Sequence, residues 1–173
     1  MKRLRHCHPG VVVLVAVLGG CVVQRQPETS ETAAQSGAAN QVIATEREAG
    51  WRMLFDGRTL TGWRAYRGQS PSDAWLARDG VLSKTQATGD IITVDQFGDF
   101  EFALDWKVSS GGNAGFFYRA TEEYVRVYWS GPEYQVLDDA NAPDGRSRLT
   151  SAGSAYGLYP APAGTVKPAG EWN

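Results

Sequence analysis

Two short runs carry the polar groups best suited to chemistry, Asn113-Ala114-Gly115-Phe116-Phe117-Tyr118-Arg119 and Glu133-Tyr134-Gln135-Val136-Leu137-Asp138. Both are rich in β-type residues. Side chains alternate across a strand, so residues two apart share a face. Asn113, Gly115, Phe117 and Arg119 then line one face of the first strand, and Glu133, Gln135 and Leu137 one face of the second. With Phe116, Tyr118, Tyr134 and Val136 turned to the core, the outer face displays Asn113, Arg119, Glu133 and Gln135 together. A carboxyl group beside a guanidinium and two carboxamides can move a proton and hold hydroxyl groups. Cleavage of a glycosidic bond generally needs two carboxyl groups, one kept protonated. Glu133 is the leading single candidate, with Asp105 and Asp138 as available partners. The plain alternative is an Arg119–Glu133 ion pair on a solvated face, worth about 0.2–1 kcal/mol.

The elements that position these groups read as strands. Six Trp, seven Tyr and twenty Gly in 173 residues favour an aromatic-rich all-β domain over a helical bundle. Phe100, Phe102, Leu104, Trp106 and Val108 alternate with Glu101, Ala103, Asp105 and Lys107, the pattern of a half-buried antiparallel strand. Arg78-Asp79-Gly80 between two apolar runs predicts a hairpin. Trp51–Phe55, Ile91–Val94, Tyr124–Trp129 and Ser154–Tyr159 read as further strands, and Asp90 as an edge or turn residue. Ala44–Gly50 has room for one helical turn. The acidic loop 138–145 offers oxygen ligands to a divalent cation such as Ca²⁺, although its spacing is not that of an EF-hand and a solvated turn rich in Asx residues is the preferred reading.

The first twenty residues read as an address. Lys2, Arg3 and Arg5 precede an apolar run, Val11–Leu18, too short to span a bilayer as a helix. Leu18-Gly19-Gly20-Cys21 resembles a bacterial lipobox, which implies cleavage before Cys21 and a lipid anchor on its thiol. The residue after Cys21 is Val22, not Asp, which by analogy with bacterial sorting points to the outer membrane. Residues 21–48 are expected to be a flexible tether, with residues 49–173 the folded domain. Losing three of 17 basic residues with the signal leaves 14 against 19 acidic, a formal charge of −5. No basic patch is present, which argues against nucleic acid as a partner. Both His residues, His6 and His8, fall in the signal, so a His-based triad or His-ligated zinc site is excluded within these residues once it is removed. The two Cys, 7 and 21, supply no disulfide to the domain.

Several motifs in order resemble the 3-keto-disaccharide hydrolase family. They are Leu54-Phe55-Asp56-Gly57-Arg58-Thr59-Leu60-Thr61-Gly62-Trp63, Gly112-Asn113-Ala114-Gly115, Glu133–Asp138 and Lys167-Pro168-Ala169-Gly170-Glu171-Trp172-Asn173. The resemblance covers about Trp51–Asn173. One departure is Ala114, where the family often has Ser. The family's fold is a concanavalin-like jelly-roll β-sandwich. In it the last motif leads into further strands, so this sequence is expected to be incomplete at its C-terminus.

The resemblance also implies a chemistry. A ketone at sugar C3 acidifies the C2–H, a base removes that proton, and the enolate expels the C1 leaving group. Glu133 or Asp138 is implied as base, with Arg119, Lys167 or a metal at the enolate oxygen. Asn113 and Gln135 would hold hydroxyls, and Tyr156 would donate a proton or stack on the sugar. A lectin-like carbohydrate-binding module on the same fold, and a structural or interaction domain of an envelope lipoprotein, are the alternatives.

Overall fold

The computed structural model describes the backbone of residues 3–7 and 12–16 and all of residues 40–173. Cys21 and the sequence expected to form most of the tether lie outside the described residues. The strands are β1 (Arg3–Cys7), β2 (Val12–Ala16), β3 (Trp51–Met53), β4 (Trp63–Ala65), β5 (Trp75–Arg78), β6 (Val81–Lys84), β7 (Ile91–Thr93), β8 (Asp99–Ala103), β9 (Asn113–Ala120) and β10 (Glu133–Leu137). One short helix, α1, spans Ala44–Glu48. Residue 40, expected within the tether, touches the domain: Asn40 donates its carboxamide N–H to the Gly80 carbonyl at 2.8 Å.

The strands form an all-β sandwich. One sheet has the order β3-β1-β8 and the other β10-β9-β2-β7-β4, with β5-β6 as a separate hairpin. Every pairing between these strands is antiparallel. The hairpin turns where expected, because Asp79 (φ 52°) and Gly80 (φ 76°) adopt the left-handed backbone that a tight two-residue turn requires. Ile91, Ala114, Phe116 and Val136 from the larger sheet join Trp106 and Val108 in one buried cluster, with Phe102 and Leu104 packed against it. Phe102 meets Phe116 edge-to-face across this core, ring centres 5.4 Å apart.

Both sheets use residues from the segment that reads as an export signal. β1 lies between β3 and β8, and β2 between β7 and β9. A run of β-branched and apolar residues suits an interior strand as well as it suits an export signal. Other departures from the sequence reading have local causes. β8 ends at Ala103, yet the alternation continues to Val108, because the C-terminal segment takes over the pairing. Trp106 and Asn173 exchange backbone hydrogen bonds at 3.0 and 2.8 Å, and Gly170 N–H donates to the Val108 carbonyl. Tyr124–Trp129 is not a strand. Ser130 Oγ accepts from Thr121 N–H and donates to the Val127 carbonyl, and Val127–Trp129 closes as a 3₁₀ turn. Ser154–Tyr159 makes only bridges at Ala155, to Tyr134 and Tyr159.

Candidate active site

The register of β9 and β10 sets the site. Glu133 lies opposite Phe117, Gln135 opposite Gly115 and Leu137 opposite Asn113. These residues share one face, as alternation requires. The expectation that this face is displayed to solvent is corrected: Gln135 is 1% exposed, and Leu137 and Phe117 are also buried. The cause is the packing that residues outside β9 and β10, Val127 and Tyr66 among them, lay over this face. Phe117 packs with Ile92, Ala120, Val127 and Tyr66 in a second cluster, while Tyr134 and Val136 face the main core.

Glu133 leans its carboxyl group over Gly115, where no side chain stands. Burial, reinforced by the charges of Asp144 and Asp90, pushes its pKa up to about 7. Asp90 reaches this face by register. Ile92 and Phe117 both lie opposite Leu14, and Asp90 precedes Ile92 by two residues. Burial raises the Asp90 pKa, and the positive charges of Lys84 and Arg126 oppose that rise. Lys84 is 4% exposed, with its ammonium 5.6 Å from the Trp75 ring centre. Burial lowers its pKa against the pull of Asp90. Asp144 sits in the 3₁₀ turn Pro143–Arg146 and accepts a hydrogen bond from the Tyr156 hydroxyl at 3.2 Å. Tyr156 itself is held beside β10, its N–H donating to the Glu133 carbonyl at 2.9 Å. Burial and the Asp144 charge keep its phenol protonated to higher pH.

Of the residues singled out from sequence, the fold gathers Glu133, Gln135 and Tyr156. The others are engaged elsewhere. Asp138 is buried at the far end of β10 and accepts from Gly111 N–H (2.7 Å), Asn141 Nδ2 (2.7 Å) and Ala140 N–H (3.2 Å). These donors hold its carboxyl below the ordinary carboxylate range. It is a loop-organising carboxylate, not a base poised near neutrality. Arg119 has φ 55°, which breaks the alternation, and its guanidinium donates to Asp99 Oδ1 at 3.0 Å. Lys167 Nζ donates to the Trp172 carbonyl at 2.7 Å within the C-terminal turn. Asp105 is on the exposed side of the 100–108 segment, and Asn113 is half-buried opposite Leu137. In the acidic loop, Asp139 Oδ1 accepts from Ala152 N–H at 2.8 Å. Asp138 and Asp139 of this loop thus bind backbone donors, and among the described residues there is no group of three or more Asp, Glu, His or Cys that could hold a metal ion.

Sequence reading overlooked Lys84 and Arg126, set Asp90 aside, and treated Asp144 only as a loop ligand. For Lys84 a signal existed: the alternation Val81-Leu82-Ser83-Lys84 puts it on the buried face with Leu82. A cavity of about 620 Å³ lies towards the opposite face, lined by Phe100, Phe102, Trp106, Phe116 and Tyr134. Its only charged lining groups are Asp99 and Arg119, which pair with each other. The acid–base groups therefore lie outside this cavity.

The fold is an all-β sandwich with one half-buried carboxyl group, Glu133, raised by its surroundings; comparison with known proteins supplies the family. The family described as the 3-keto-alpha-glucoside-1,2-lyase-like domain matches residues 50–173. The chain belongs to this family. It is 36% identical over 146 residues to a 3-keto-disaccharide hydrolase of Bacteroides thetaiotaomicron, covering 72% of this chain and 50% of that protein. It is also similar to a candidate glycosyl hydrolase of Parabacteroides distasonis, known from a crystal structure. There the TM-score is 0.71 with 32% identity, over 77% of this chain and 65% of that one. The chain thus spans about half the length of the curated relative it matches.

Proposed function

We propose that the protein to which this chain belongs cleaves 3-keto-glycosides, with Glu133 as the general base. The observation that supports this most directly is the Glu133 carboxyl, buried over Gly115 and balanced near pH 7 by its surroundings. A base with its pKa near the working pH combines a useful ionised fraction with useful proton affinity. The ionised carboxylate takes the proton from sugar C2, and the electron pair becomes the C2–C3 enolate of the former ketone. Arg126 and Lys84, the two cations beside Asp90, supply positive potential for the enolate oxygen. The enolate then re-forms the ketone and expels the C1 oxygen, leaving a C1–C2 double bond. Tyr156, hydrogen-bonded to Asp144, is proposed to protonate the departing oxygen. Addition of water across the double bond returns the 3-keto sugar.

We also propose that Cys21 is lipidated and anchors the domain in the cell envelope, on the periplasmic side or the surface of the outer membrane. Mass spectrometry of the membrane-extracted protein tests this; an unmodified Cys21 in a chain retaining residues 1–20 would overturn it.

The activity is tested by incubating the full-length protein with a 3-keto-glucoside, with and without divalent metal, and following release of 3-keto-glucose. Release that is lost in Glu133→Gln supports the reading. Binding of ordinary sugars without any release would replace it with a carbohydrate-binding module.

A further inference from the structure

Gly115 lies in the interior of β9, a position where glycine weakens a strand unless something needs the space. Its backbone does not require glycine, since it is absent from the positions with positive φ. Its neighbours along the strand, Ala114 and Phe116, carry ordinary side chains that pack in the core. What distinguishes position 115 is the group above it. A Cβ placed there would overlap Glu133 Oε1 and lie 2.6 Å from both Cδ and Cγ. All three nearest atoms belong to one side chain, that of Glu133, which enters from the neighbouring strand diagonally, its own partner being Phe117.

We propose that Gly115 is a positioning residue for Glu133: the missing side chain forms the recess that holds the carboxyl group flat against the sheet. This rests on the reading of Glu133 as the base. Held in the recess, the carboxyl is removed from water and kept near the groups that face it. These are Asp144 from the turn after β10, Asp90 from the approach to β7, and Tyr156 from the segment beside β10. A methyl at position 115 evicts the carboxyl towards solvent. Proton affinity then falls and the group leaves its reacting position, while the strand pairing of β9 with β10 is retained. Displacement of a reacting group by about 1 Å can cost about a hundredfold in rate.

The test is a double-mutant cycle of Gly115→Ala and Glu133→Ala in the full-length protein, read by thermal unfolding. It is joined to a carboxyl titration of Glu133 by NMR in the wild type and in Gly115→Ala. Gly115→Ala is expected to lower Tm when Glu133 is present and to have little effect when residue 133 is Ala. The Glu133 titration midpoint is expected to move from about 7 towards the ordinary glutamate value of 4.5. With a 3-keto-glucoside, kcat falls about a hundredfold and the acidic limb of its pH profile moves to lower pH. Additive Tm changes, or an unmoved midpoint, overturn the proposal. If Gly115→Ala fails to fold, recovery of folding by Glu133→Ala supports it, and failure of both variants overturns it. Neither the Tm cycle nor the titration uses substrate. A wild type inactive on 3-keto-glucosides that still shows both effects would therefore remove the proposed activity and leave the Gly115–Glu133 relationship standing.

Discussion

The Tyr156 hydroxyl donates to Asp144 Oδ1 at 3.2 Å, and the negative charge of the same Asp144 opposes ionisation of Glu133. One carboxylate thereby serves two groups: it orients a phenol and holds a proton on a neighbouring acid. Tyr156→Phe keeps the ring and removes the O–H. Its effect is expected to be a drop in kcat of about tenfold to a hundredfold. The drop should be largest for substrates with poor leaving groups, because the O–H is assigned to the departing oxygen. Steady-state kinetics over leaving groups of graded pKa check this, and a uniform loss across the series would remove the proton-donor role.

Glu133→Gln preserves shape and removes the base. Turnover is expected to fall by at least about a hundredfold, with thermal stability at neutral pH retained or raised, since the substitution removes a carboxyl group that burial disfavours when charged. Release of 3-keto-glucose alongside a melting curve measures both.

The raised pKa of Glu133 also makes stability depend on pH. Its folded value is about 7 against 4.5 for an unperturbed glutamate, so between these values the folded state holds more protons than the unfolded state. The contribution is fully present below pH 4.5 and is lost as pH rises through 7. Unfolding free energy measured across this window should show a decline with pH that Glu133→Gln abolishes. In the same window, activity should rise with pH as the base ionises. Asp90, also raised by burial, contributes with the same sign.

Asp138 should behave in the opposite way. Its folded pKa is lowered by Gly111 and Asn141 donors, so its contribution is present above the unfolded value and lost as pH falls through the folded one. Asp138→Ala removes three hydrogen bonds from the 110–141 loop region. A loss of ~1–3 kcal/mol is expected, visible as a lower urea midpoint. Because Asp138 is buried at the opposite end of β10 from Glu133, the pH profile of activity should keep its position.

A chain starting at Cys21 lacks β1 and β2. That removes the strand that pairs with both β3 and β8 and the one that pairs with both β7 and β9, exposing strand edges unless other strands fill the two positions. Hydrogen exchange of the β7, β8 and β9 amides should be faster in that chain than in the 173-residue one. Equal protection would show that the N-terminal strands contribute nothing to these sheets.

The alternation at Phe100–Val108, the Asp79-Gly80 turn and the two polar runs were legible in the amino-acid sequence because each depends on neighbours one or two residues away. So was the shared face of Glu133 and Gln135, which needs only the two-residue period of a strand. The family was legible through short motifs in order. The composition of the site was not. Asp90, Lys84, Asp144 and Arg126 are scattered over some sixty residues, and only the sheet order β10-β9-β2-β7, with the loops around it, brings the charges of Asp90 and Asp144 to Glu133 and those of Lys84 and Arg126 to Asp90. Nor could alternation say that the Glu133 face would be covered, since burial depends on what packs above a strand and not on the strand itself. Arg119 shows the limit most plainly. A period of two assigned it to Glu133, and a single positive φ turned it to Asp99.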